Sequence, residues 1–502
     1  MSLQTHAEKT NYQETSLHQH VMEYLAALNA RGDKRFHLTS FGASPQGREL
    51  PLVVMSAHGI TTPAASRAKG LPVVLVINGI HAGEVEGKEA CQMLARDILD
   101  GKFAHIIEHA TLVIVPLFNP DGNDAISPAN RKLDLPKLEG QIGPQKVGTR
   151  VNGIGVNLNR DYMRQQAMEM QLLQSRVVQV WQPELTIDTH ATNGSVHRMW
   201  MTYDVPHTVA SGRPEPIAFM RQRVMPDVTR ALKDTHGLIA GWYGNFVEDE
   251  RTLDARKEAD PTAPVREGWM TYPHNPRFGS NYRGLSNRLD LLLECYSYLS
   301  FEERTRTTYA TVLEALQWVA GHRDDVMQVV ASSAAPRDQI AVRYKLEAFA
   351  EPIEIPTMSP RTLEGAPTSV KIPYFSNFVG ATVVQRPPAY IVSPAVAAHL
   401  AKHGVASEHV SGEIDVEVAT VTGFTTEGGR KILEASEVGD LEVAWKRAAR
   451  KVPDGARLVR TDHASGAVVV YLCEPESDDG VIENGVISSP ARGEEFPVWR
   501  AW

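Results

Sequence analysis

The sequence predicts an α/β protein whose central sheet is mixed but largely parallel, followed by a smaller β-rich region. Three observations carry this. The short apolar runs Val73–Ile77, Thr111–Leu117 and Leu289–Leu293 have the length and β-branched or leucine content of strands buried on both faces. Between them lie stretches with apolar residues at helical spacing, the alternation that builds parallel sheets. Near Ala331–Arg337 (ASSAAPR) the composition changes, and the apolar runs after it are mostly short and strand-like.

In chain order, Leu17, Val21, Tyr24, Leu25 and Leu28 mark a helix within residues 15–30, closed by Gly32. Phe36–Thr39 and Glu49–Ala57 read as strands joined by the turn GASPQGRE. Val73–Ile77 follows, bounded by Pro72 and Asn78-Gly79. Glu86–Leu99 is a helix with Ala90, Met93, Leu94 and Ile98 on its apolar face, and Cys91 beside them reads as a core thiol. Thr111–Leu117 ends in the turn residues Asn119–Gly122. The polar stretch Asn123–Gly155 has the length of a functional loop. Met168–Trp181 is a helix, and Glu184–Ile187 is a third strand with Asp188-Thr189-His190 at its end. A helix over Pro216–Leu232, a loop over Val247–Pro276, a strand Leu289–Leu293 ending at Glu294 and a helical stretch Phe301–Val329 complete a first domain, residues 1–330. In residues 331–502, an accessory domain, Ala341–Leu346, Val379–Val384, Ile414–Thr422, Leu458–Thr461 and Ala467–Leu472 read as strands and Val396–His403 as a helix.

The 502 residues are 42% hydrophobic and 22% charged, ordinary for a globular protein. A net charge of −9 argues against nucleic acid as a partner. The three cysteines are far apart with no C-x-x-C, so neither a zinc ribbon nor a disulfide framework is expected. No run approaches the roughly 20 apolar residues of a membrane helix. The amino-terminal stretch has no apolar core of a leader, so a cytoplasmic protein is expected, or an exported one if a leader has been removed. Oligomeric state is not legible.

The chemistry starts at His81 and Glu84. They follow the end of a buried strand, where open α/β sheets place ligands. An imidazole nitrogen and a carboxylate suit Zn²⁺, and Gly79 and Gly83 allow a tight loop between them. A hydrolytic zinc site needs a third protein ligand, and His190, also at a strand end, is the natural one. Glu294 closes an apolar run, where a carboxylate is paired, ligating or catalytic. Arg288 or Arg283 would be its partners in an ion pair. Arg150 and Arg160 flank Asn157 and Asn159, a donor set able to hold a carboxylate or stabilise an oxyanion.

NGIHAGE (Asn78–Glu84), FNPDG (Phe118–Gly122), GVNLNRDY (Gly155–Tyr162), DTH (Asp188–His190) and LLLECYSY (Leu291–Tyr298) stand in the order and separations of the M14 metallocarboxypeptidases, and the chain resembles that family over roughly residues 11–325. The resemblance implies a three-layer α/β/α sandwich and one zinc ion held by His81, Glu84 and His190. It implies Glu294 as general base and acid, acting on water activated by the metal. Asn159 and Arg160 match the pair that grips the substrate's terminal carboxylate. Arg150 falls where bacterial relatives polarise the scissile carbonyl, with Arg131 a second candidate. Tyr272 matches the mobile capping tyrosine by spacing, with Tyr282 its rival. Asn157 departs from the family's usual aspartate behind the first zinc histidine; Asp161 or Asp188 could compensate. The expected substrate is a peptide losing its C-terminal residue. The HAGE loop also resembles the aspartoacylase and succinylglutamate desuccinylase branch, so a small N-acyl amino acid is the alternative. A degenerate binding module is the third possibility. Arg277, Arg283 or Arg288 reaching the pocket would select acidic substrates. The carboxy-terminal part resembles tails of a bacterial M14-like subgroup whose role the residues do not reveal.

Overall fold

The computed structural model describes residues 3–192, 194–249, 267–425 and 440–502. Much of the loop expected over 247–276 therefore lies outside the described residues. The central sheet has eight strands: β1 (Phe36–Ala43), β2 (Glu49–Met55), β3 (Val73–Asn78), β4 (Thr111–Val115), β5 (Leu185–Ala191), β6 (Met201–Asp204), β7 (Ala240–Trp242) and β8 (Leu289–Cys295). Their order is β1-β2-β4-β3-β5-β8-β6-β7. The four pairs β4–β3, β3–β5, β5–β8 and β6–β7 are parallel and the other three antiparallel, so the sheet is mixed and largely parallel.

Strand side chains alternate between faces, and both faces of this sheet are covered. Val73, Leu75 and Ile77 of β3 enter one core cluster, and Val74 and Val76 enter another. Each such buried side chain contributes roughly 1.5–3 kcal/mol before the entropy of ordering it. The helices His18–Asn29, Glu86–Leu99 and Phe301–Gly321 cover the second face with Leu25, Leu94 and Leu313 among others. The first face packs against the helical stretch 168–181 and against the carboxy-terminal region, whose Tyr390, Leu400 and Val468–Leu472 share that cluster with β3. The region after residue 338 thus supplies part of the third layer.

That region is β-rich. A six-stranded sheet includes the long pair Glu413–Thr425 and Asp440–Lys451. A second sheet crosses the expected boundary: Tyr374–Gln385 pairs in parallel with Trp269–Met270. Two differences from expectation bear on the core and the site. Ala467–Leu472 is not a strand but lies in a helix, Gly466–Cys473. Its β-branched residues favour strands, but it is buried all round and packs against the strand Gln339–Ala348 as a helix, which satisfies its backbone internally. Asp188 and His190 lie within β5, not past its end. Hydrogen-bonded neighbours β3 and β8 hold the strand as far as Ala191.

Candidate metal centre and active site

Strand β3 ends at Asn78, and the chain turns at Gly79, whose φ is +69°. A Cβ on Gly83 would lie 2.8 Å from the Gly148 carbonyl, so only glycine allows the loop to close there. The Glu84 amide donates to the His81 carbonyl at 3.0 Å, a turn that brings the two side chains together. His190 reaches them from β5. His81 Nδ1 lies 3.1 Å from Glu84 Oε1, His190 Nδ1 lies 3.0 Å from Glu84 Oε2, and the two Nδ1 atoms are 3.2 Å apart.

These three residues could hold a metal ion, and among the described residues they are the one such group. Zinc–nitrogen bonds of 2.0–2.1 Å at tetrahedral angles require donors about 3.3–3.4 Å apart, close to the spacing found. The far nitrogens are also held as ligation requires. His81 Nε2 donates to Asn157 Oδ1 at 3.1 Å. The Asn159 amide donates to the same oxygen at 3.1 Å, which identifies it as the acceptor and fixes the His81 tautomer. His190 Nε2 faces Asp188 Oδ1 at 3.2 Å. Burial opposes charge on Glu84, yet His81, His190 and Arg131 outweigh it and hold its carboxyl well below the usual range. Burial likewise disfavours an imidazolium at His190, but Asp188 and Glu84 override it and raise its pKa. The donor set is one that calls for a cation. The residues fit zinc.

Glu294 stands beside this centre because β8 pairs with β5 in a register that sets it opposite His190. Neither Arg283 nor Arg288 pairs with it: Arg283 binds Asp188 and Asp290, and Arg288 lies 3.9 Å from Glu184. Burial pushes the Glu294 carboxyl up to about 7, against the pull of His190 and with the repulsion of Glu84. Such a value suits a group that takes and returns a proton near neutrality.

Residues 21–185 match the family model described as zinc carboxypeptidase, Peptidase_M14. Over those residues the chain is similar to the M14 family, which supports a zinc metallopeptidase. Solved structures similar to this chain include a metallo-carboxypeptidase from Burkholderia cenocepacia (14% identity, 61% of this chain and 69% of that one, TM-score 0.41). A metallo-carboxypeptidase from Pseudomonas aeruginosa in complex with (2-guanidinoethylmercapto)succinic acid gives 17%, 62%, 68% and 0.40 in the same terms. The carboxypeptidase A from Helicoverpa armigera gives 13%, 64%, 75% and 0.40. No curated protein matches the chain.

A cavity of about 120 Å³ opens on the candidate metal centre. His81, Glu84, Arg150, Asn159, Arg160, Tyr272 and Glu294 all line it, so the geometry brings together most of the residues singled out in the sequence. Arg150 is half exposed, with Nη1 3.1 Å from His81 Nδ1 and 3.3 Å from Glu84 Oε1. Asn159, which lines the cavity, accepts from the Gly279 amide through Oδ1 at 2.9 Å, so Nδ2 is the donor side of its amide. The Arg160 guanidinium lies 3.8 Å over the Phe278 ring. Tyr272 packs its ring among His207, Tyr243 and Phe278. Its rival Tyr282 bonds His403 at 2.8 Å and does not line the cavity.

Arg131 does not line it either. Its guanidinium donates to Glu84 Oε1 at 3.1 Å, Gln141 Oε1 at 2.6 Å, the Thr192 carbonyl at 2.8 Å and Ser297 Oγ at 3.1 Å. Asp161, a possible substitute for the missing aspartate, instead accepts from the Gln166 and Ala167 amides. Asp188, Ala191, Tyr243, Phe278, Ser280 and Leu292 complete the lining, and of these sequence reasoning singled out only Asp188. Leu292 was reachable, since it stands two residues before Glu294 on the same side of β8.

Proposed function

We propose that this enzyme removes the C-terminal residue of a peptide. The observation that carries the proposal is a metal-ligating triad whose His81 and Glu84 line one small cavity together with the carboxyl of Glu294 and the donors Asn159 and Arg160. About 120 Å³ is well below a drug-sized site and suits a single side chain. His81, Glu84 and His190 would hold zinc, whose Lewis acidity supplies carbonyl polarisation and a more acidic water. Asn159 Nδ2 and Arg160 bind the terminal carboxylate and set the scissile bond against the metal centre. Glu294 accepts the proton of the attacking water and returns it to the leaving amine. Arg150, beside the triad, stabilises negative charge developing on the carbonyl oxygen.

The cavity favours a neutral, apolar or aromatic terminal side chain. Its walls include Tyr243, Tyr272, Phe278 and Leu292. The three arginines that would have selected acidic substrates have carboxylate neighbours: Arg277 with Asp479, Arg283 with Asp188 and Asp290, and Arg288 near Glu184. The test uses a peptide ending in phenylalanine, the same peptide amidated, and N-acetyl amino acids. Release of one phenylalanine, abolished by a chelator and restored by Zn²⁺, is expected from the free acid alone. Faster cleavage of the N-acetyl amino acids would replace this proposal with deacylation.

A further inference from the structure

The segment that carries the proposed carboxylate donors and the segment beside it both rest on the carboxy-terminal region. Downstream of Asn159 and Arg160, His399 and His403 hydrogen-bond the Met163 carbonyl at 2.9 and 3.1 Å, and Lys402 Nζ donates to the Gln165 carbonyl at 3.2 Å. The other segment, residues 272–279, carries Tyr272 and Phe278. It is held by two neighbouring aspartates about 200 positions later. Asp479 receives Arg277 as a fork, Nε at 3.1 Å and Nη2 at 2.7 Å, and also the Arg277 backbone amide at 2.9 Å. Asp478 faces His274 Nε2 at 2.7 Å and accepts from Tyr471 at 2.5 Å. Asp479 is wholly buried and Arg277 is 5% exposed.

The pairing is placed where it governs the pocket. Phe278 follows Arg277 directly and lies under the Arg160 guanidinium. The next residue, Gly279, gives its amide to Asn159 Oδ1, the bond that fixes the Asn159 side chain at the cavity wall. One buried carboxylate therefore fixes a short backbone stretch that orients both donors. Breaking one partner of a buried, forked pair leaves an uncompensated charge, so the loop has to move to resolvate it.

We propose that Asp479 is a positioning residue of the substrate pocket, and that the carboxy-terminal region completes the carboxylate-binding site through the Asp479–Arg277 fork. This rests on the function proposed above. The region is then a working part of the enzyme rather than an appendage. Its signature is a loss of discrimination for the free terminal carboxylate, with zinc and the proton-transfer machinery intact.

The experiment compares the zinc-loaded full-length chain with its Asp479→Asn variant on the phenylalanine-terminated peptide and the amidated peptide, with zinc content and melting temperature measured alongside. In Asp479→Asn the ratio of kcat/KM for acid over amide should fall by about tenfold, chiefly through KM, at one zinc per chain. Asp479→Glu, which keeps the charge, should recover part of the ratio. A folded, zinc-loaded Asp479→Asn with the wild-type ratio overturns the proposal, even if its melting temperature drops. If Asp479→Asn does not accumulate, Arg277→Lys, which keeps the charge and loses the fork, must show the same fall. A wild type with no preference for acid over amide overturns the function itself and this inference with it.

Discussion

Replacing Asn157 by alanine removes the oxygen on which both His81 Nε2 and the Asn159 amide rest, each at 3.1 Å. Both donors are buried, and leaving such a donor unsatisfied costs about 1–3 kcal/mol. The Asn159 share falls on the loop. The His81 share falls on the metal, because the Nε2 bond is what presents Nδ1 to the centre. A loss of roughly 1.4–2.7 kcal/mol there corresponds to zinc binding about 10–100-fold weaker, the range for partners of this kind. The assay is zinc affinity by competition with a coloured chelator at fixed pH, with the melting temperature of the metal-free variant as a control for folding. Asn157→Asp keeps the acceptor and adds a charge, which strengthens a hydrogen bond about twofold. Zinc should then bind up to about tenfold tighter. Unchanged affinity in a folded Asn157→Ala protein would refute the role given to this bond.

The two arginines near Glu84 separate by their settings. Arg150→Ala should lower kcat by about 10²–10³ with zinc retained, since Arg150 lines the cavity. Arg131→Ala should instead speed zinc loss to a chelator, since Arg131 is fixed beneath Glu84 by several acceptors and does not face substrate. Burial holds the Asp161 carboxyl up at about 6, against its two backbone hydrogen bonds. Folding therefore takes up a proton between the unfolded and folded pKa values. That contribution to stability is complete at about pH 4 and is lost as the pH rises through 6. Denaturant unfolding from pH 4 to 7 should show this slope, and Asp161→Asn should flatten it.

Much of the catalytic half was legible because its signals are local. Val73–Ile77 is apolar on both faces, and Glu86–Leu99 emerges with the bounds its periodicity gives. His81 and Glu84 sit on one turn and point at one centre. What stayed hidden depends on distant partners. Nothing near Gly466–Cys473 announces a helix, because the strand it packs against, Gln339–Ala348, is distant in the sequence. Arg277, Arg283 and Arg288 look like candidates for a basic pocket floor until Asp479, Asp188, Asp290 and Glu184 are seen beside them. The join between the two halves is of this kind as well, since Trp269–Met270 pairs with a strand over 100 residues later.

In the proposed mechanism Glu294 turns the metal centre into an active site, and Glu294→Gln isolates it while preserving shape and the β5–β8 register. In zinc-loaded protein, the rate of release of the terminal residue should fall by about 10²–10⁴, with zinc content and KM close to those of the wild type. Full activity in a zinc-loaded Glu294→Gln enzyme would contradict the mechanism.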